Sequence, residues 1–248
     1  MYSIGNYKID TSIKKEFKGQ LKFIFSGNSN SIFFSDSSES DINKIIPKTI
    51  GSEHWISESS DLFRFNKSNG ELCSFLLDTP NYNDFGKTDF HIISKEYDFK
   101  LKYDFNFGII TPAKYRNFDF KDEKKIICTT KKIDINSNYE IIKFHLDFGF
   151  IFEKNKYIGY ILYNPLKYIV LDNCNILIRS QPFNSDYNIL DLYLNIMSEN
   201  NLARYDDELE EVIKELDFTI TPLLKYSEKT EYTEIIRTTI FQLKDYYL

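Results

Sequence analysis

Imidazole is scarce in this chain, and each of its three histidines has a carboxylate within two residues. His145 and Asp147 lie two apart in an alternating apolar–polar run. On an extended strand both would point to the same face. A carboxylate beside an imidazole can fix its tautomer and let it act as a general base near neutral pH. Glu53 and His54 precede the single tryptophan, Trp55, in a segment that reads as a loop before the apolar run at Leu62. The same acid–base pair would there adjoin an aromatic binding anchor. The plainer readings are a solvent-facing polar pair on the strand and a tryptophan that plugs the end of a sheet. His91 falls in a short apolar stretch and reads as a structural histidine.

Spacing argues against most other chemistry. The chain has no GxxxxGK[ST] or GxGxxG loop for phosphates. It has no GxSxG elbow and no HExxH or HxH pair for zinc. Cys73, Cys128 and Cys174 are odd in number and widely spaced, which fits buried thiols in a reducing compartment better than a disulfide framework. The opening residues show no apolar stretch after a basic start, so no secretory signal is expected. The longest apolar run, Tyr157 to Tyr163, is too short to span a bilayer. The expectation is a cytoplasmic protein with no metal, no cofactor and no membrane association. No basic cluster stands out and the net charge is −6, which argues against nucleic-acid binding.

Charge is segregated along the chain. From Ser185 to Leu248 there are 14 acidic and 6 basic side chains, net −8, so this tail supplies all of the overall negative charge. Asp206, Asp207, Glu208, Glu210 and Glu211 form its densest run. Acidic residues in a first helical turn also favour the helix dipole, so part of the run has a local reason. As a surface it would steer a basic protein partner. These five residues and Trp55 are the candidate partner-binding residues.

The elements that must position these groups are mainly strands. Phe99, Leu101, Tyr103, Phe105, Phe107 and Ile109 alternate with polar residues or glycine; Ile142, Phe144, Leu146, Phe148, Phe150 and Phe152 recur at the same spacing, with Lys143, His145, Asp147, Gly149 and Glu153 on the opposite face. Period two predicts half-buried strands, and one-sided alternation favours antiparallel pairing. Asn66 to Gly70 and Glu153 to Lys156 read as hairpin connections. Motifs around these hairpins recur at an offset of roughly 80–87 residues, as a tandem duplication would produce. That reading implies two β lobes, 20–95 and 98–180; chance matches in a Phe-, Ile- and Lys-rich alphabet are the alternative. Helical periodicity follows: one helix from Ser185, one over Tyr205–Leu216 stopped by Thr221-Pro222, and one over Thr230–Tyr247.

The predicted fold is therefore α+β and mainly antiparallel. Residues 1–184 form the β region, and 185–248 form an acidic helical segment packed on one face or edge. With 22 Phe, 18 Tyr and only two alanines, the composition points to an AT-rich, bacterial-style genome, which discounts aromatic content as a sign of ligand stacking. The functional expectation is a non-catalytic binding protein of the bacterial immunity type, which neutralises a basic toxin domain. One alternative is a hydrolase with a site between two β lobes, built on His145 and Asp147 or His54 and Glu53. Another is a structural protein that assembles through sheet edges.

Overall fold

The computed structural model describes residues 1–13, 19–26, 30–36, 42–52, 61–84, 91–93, 97–102, 110–134, 136–171, 181–199, 209–226 and 230–247. In chain order its strands begin with β1 (Tyr2–Ile4), β2 (Tyr7–Ile13), β3 (Gln20–Phe25), β4 (Asn30–Ser35) and β5 (Thr49–Gly51). Next come β6 (Leu62–Asn66), β7 (Leu72–Thr79), β8 (His91–Ile93), β9 (Tyr97–Leu101) and β10 (Tyr115–Asp119). The last five are β11 (Lys125–Thr129), β12 (Tyr139–His145), β13 (Phe148–Glu153), β14 (Lys156–Tyr163) and β15 (Ile169–Leu171). A short helix, α1 (Ile42–Ile45), runs into a 3-10 turn, and a second 3-10 turn spans Pro165–Tyr168. The longer helices are α2 (Asn184–Ile196), α3 (Leu209–Tyr226) and α4 (Glu231–Tyr247).

Two sheets face each other. The nine-stranded sheet runs β8-β12-β13-β14-β1-β2-β9, with β11 also on β14 and β10 on β11. The six-stranded sheet runs β15-β3-β4-β7-β6-β5. Among the described strands, pairing is antiparallel except for β1/β14, β8/β12 and β15/β3. Their inner faces meet in an aromatic layer. Phe75 of β7 stacks on Phe148 of β13 with centroids 5.0 Å apart and meets Phe150 edge-on at 5.4 Å. Phe63 of β6 approaches Phe150 at 5.5 Å. Each fully buried phenylalanine contributes about 1.5–3 kcal/mol, and each good ring pair adds about 0.5–1.5 kcal/mol. Buried residues of α2, α3 and α4, including Tyr193, Ile213 and Ile236, belong to the same core. The α+β architecture expected from the sequence is the one observed.

Both candidate repeats contribute to this main core, and a second, smaller cluster that includes Ile127, Ile141 and Ile151 is built from residues 98–180 alone. Residues 20–79 supply five of the six strands of the smaller sheet, whereas β8 joins the larger sheet. Phe63 and Phe150, matched by the sequence offset, face each other across the layer. This geometry is compatible with copying and does not demand it.

Two predicted elements differ. The alternating run from Ile142 to Phe152 is a hairpin, β12–β13, with Leu146 and Asp147 in its turn. The register pairs Ile142 with Phe150, even with even, so the core face keeps its parity through the turn. A bulge between Lys143 and His145 absorbs the odd spacing. Leu146, 63% exposed, breaks the pattern on the core face, and Ile141 and Ile151 on the opposite face are buried too, in a second cluster. Helix α3 continues through Pro222, where the sequence predicts a stop. The lost bond would have gone to the carbonyl of Phe218, four residues earlier. Phe218 lies on the solvent side, where a carbonyl without its helical donor costs less than it would in the core. Of the run 99–109, β9 is a strand as expected; 103–109 lie outside the described residues.

Candidate functional site

The hairpin turn separates His145 from Asp147 chemically. The backbone N–H of Asp147 donates to Nδ1 of His145, at 3.1 Å. The Asp147 carboxylate faces the segment after β14. Its Oδ2 accepts from the Tyr168 hydroxyl at 2.7 Å and from Lys167 Nζ at 3.4 Å, and its Oδ1 accepts from Asn164 Nδ2 at 3.2 Å. Burial, and then the bond to Asp147, push the Tyr168 phenol well up. The ring of His145 packs edge-on to Tyr168, centroids 5.7 Å apart. The carboxylate thus ties the β12–β13 turn to the 3-10 turn. Its oxygens are filled by Tyr168, Asn164 and Lys167. Glu53, His54 and Trp55 lie outside the described residues, as do Asp206, Asp207 and Glu208. The backbone of His91 is the first residue of β8.

An open polar groove of about 740 Å³ lies at the far end of the same hairpin. Asn136, Asn138, Glu140, Glu153 and Asn155 line it; His145 and Asp147 do not. Its carboxylates are engaged. Glu140 accepts from the Tyr2 hydroxyl at 2.9 Å, and burial together with this bond raises the Tyr2 phenol to about 12. Glu153 accepts from Lys131 Nζ at 2.7 Å, which holds its carboxyl below the usual range. Among the described residues, no cluster of three or more His, Cys, Asp or Glu is arranged to hold a metal ion. No described helix is long and apolar enough to cross a membrane.

The outer face of α3 and α4 has a different character. The two helices run antiparallel. Lys244 of α4 donates to Asp217 of α3 at 2.7 Å, and Arg237 donates to the Leu224 carbonyl at 2.8 Å. Val212, Ile213 and Leu216 are buried, as sequence periodicity predicts, and Ile220 and Leu224 continue the buried stripe beyond the predicted helix. The bond from Lys244, then that from Thr221, lower the Asp217 carboxyl, so it stays anionic. Glu210 and Glu211, from the predicted partner-binding run, are exposed in the first turn of α3. Glu210 pairs loosely with Lys214 at 3.6 Å. On these same helices Phe218 is 85% exposed and Phe241 is 62% exposed.

Sequence reasoning missed the two exposed phenylalanines. The signal was present: Phe218 falls off the stripe that places Val212, Ile213, Leu216 and Ile220 on one face. A large ring at a position that helical periodicity assigns to solvent needs a reason beyond the fold of its own helix. Chemically, such a face can bind, since exposed aromatic side chains are common anchors of protein interfaces. No family model matches this chain, and no curated protein or solved structure is detectably similar to it.

Proposed function

We propose that this protein is a non-catalytic binding protein of the toxin-neutralising, immunity type, which covers a basic partner with the outer face of α3 and α4. The observation that carries this reading is the exposure of Phe218 and Phe241 on helices whose first turns are acidic. Leaving a phenylalanine in water forgoes about 1.5–3 kcal/mol of burial, which a partner would recover on docking. Buried aromatic anchors surrounded by a polar rim dominate the energetics of many interfaces. Glu210, Glu211 and the rest of the acidic tail would raise the association rate of a cationic partner in a salt-dependent way. Toxins that act on nucleic acid present basic surfaces, and an acidic helical face can occupy them in place of the nucleic acid.

The test is neutralisation. Phe218→Ser with Phe241→Ser should leave the fold intact and weaken the complex at least ~30-fold, the loss of two anchors of about 1 kcal/mol or more each. Cells producing the partner toxin should survive with the wild-type chain and die with the double variant. Equal protection by both would overturn the assignment of this face. Glu210→Lys with Glu211→Lys should mainly slow association, by about tenfold at low salt.

A further inference from the structure

Tyr82 and Tyr115 meet at a right angle, with centroids 5.4 Å apart and ring planes at 89°. Lys132 Nζ sits in the corner, 5.9 Å from the centroid of Tyr82 and 5.8 Å from that of Tyr115. Among the described residues this ammonium has no hydrogen bond or ion pair.

The corner is held by the backbone. The N–H of Arg116 donates to the carbonyl of Tyr82, and the N–H of Asp84 donates to the carbonyl of Arg116, both at 2.7 Å. Asn83 bridges to Arg116 as an added parallel partner of β10. Asn83 is buried and hydrogen-bonds the Arg116 guanidinium at 2.9 Å. Its neighbours Tyr82 and Asp84 therefore turn to the opposite face, which Tyr115 and Asn117 also share. Two perpendicular π faces are thus fixed before any ligand arrives.

We propose that Tyr82 and Tyr115 form a binding site for a methylated ammonium group, and that Lys132 is its intramolecular occupant in the free chain. Two features favour a methylated cation over the bare ammonium of Lys132. At 5.8 and 5.9 Å the nitrogen stands near the outer limit of cation–π attraction, about 6 Å, so it underfills the corner. N–C bonds of about 1.45 Å would carry methyl groups of a quaternary nitrogen into contact with both rings. A primary ammonium also brings three N–H donors, for which this corner offers only aromatic faces. A quaternary nitrogen has none to satisfy. The inference is independent of the helical docking face.

Titration of the full chain with tetramethylammonium chloride, followed by calorimetry or amide chemical shifts, tests the site. Lys132→Ala removes the competitor and should bind several-fold more tightly than wild type. Tyr115→Leu or Tyr82→Leu should weaken binding about tenfold, and Tyr115→Phe, which keeps the π face, should not. Should the leucine variants fail to fold, the Lys132→Ala and Tyr115→Phe results carry the test. Two peptides, one with trimethyllysine and one with unmodified lysine, identify the source. Tighter binding of the trimethyllysine peptide than of tetramethylammonium assigns the ligand to a modified polypeptide; equal binding assigns it to a free cation. No binding by Lys132→Ala at tens of millimolar, or equal binding of the unmodified peptide, overturns the proposal.

Discussion

Arg116 Nη2 donates to the carbonyl oxygen of Leu194 at 2.8 Å, so a fully buried guanidinium on β10 closes the C-terminal turn of α2. The last carbonyls of a helix lack intrahelical donors and carry the negative end of its dipole. Arg116 answers both needs. Its Nε donates to Asn83 Oδ1, and Asn83 Nδ2 donates to the same Leu194 oxygen at 3.3 Å. Burial lowers the guanidinium to about 10, a shift opposed by neighbours that include Cys128 and Tyr160, so it remains charged at neutral pH. Arg64 does related work at the smaller sheet, donating to the carbonyls of Ile46, Thr49 and Ser52. Two buried arginines thus pin helical ends to strands.

Arg116→Met should therefore destabilise the fold by about 3 kcal/mol, since bonds from a charged donor contribute about 1.5–3 kcal/mol and their acceptors would stay buried. Urea unfolding should show a lower midpoint with an unchanged slope. A midpoint equal to wild type would mean that Asn83 alone suffices at this helix end.

Asp147 provides a second structural test, one that separates a positioning carboxylate from a general-base partner. Asp147→Ala leaves the Tyr168 hydroxyl, Asn164 and Lys167 without their shared acceptor. The expected loss is about 2 kcal/mol, the usual cost of an orphaned, partly buried donor. Asp147→Asn keeps one acceptor oxygen and should recover about half of it. Thermal unfolding of the two variants reads the difference, and equal stability of both with wild type would refute the role.

How far the sequence carried these features follows from what each depends on. Local periodicity sets α4, the buried stripe of α3 and the hairpins at Asn66–Gly70 and Glu153–Lys156, and all of these are present. The β12–β13 turn was invisible because an even–even register continues the same alternation through Leu146. Proline at 222 was misleading because its lost bond falls on the solvent side of α3. The pairing of Arg116 with Leu194 spans 78 residues, and that of Tyr157 with Asp61 spans 96. No short-range spacing encodes such contacts; they appear only once sheets and helices are stacked. The clamp of Tyr82, Tyr115 and Lys132 is hidden for the same reason. The exposed Glu210 and Glu211 were legible, since acidity in a first turn is a one-dimensional signal.

Asp61 gives the pH test. It has no exposed surface, and its carboxylate accepts from the Tyr157 hydroxyl at 3.1 Å and from the Asp78 N–H at 3.2 Å. Burial is the dominant influence and raises this carboxyl well above its ordinary value, outweighing the bonds from Asp78 and Tyr157 that lower it. In the unfolded chain an aspartate titrates near about 3.9. Between that value and the raised folded value, the native state binds the extra proton. Stability from this group is then fully present below about pH 4 and declines as pH rises towards the folded value. Asp61→Asn keeps the shape and removes the titration. Its stability relative to wild type should therefore improve with pH above about 4, by up to about 1.4 kcal/mol per pH unit within that window. Urea unfolding of both proteins at three pH values between 4.5 and 7.5 cancels the titrations they share. A difference that stays constant across that range would show that Asp61 is ionised in the fold, with Tyr157 and Asp78 supplying enough stabilisation to hold its charge.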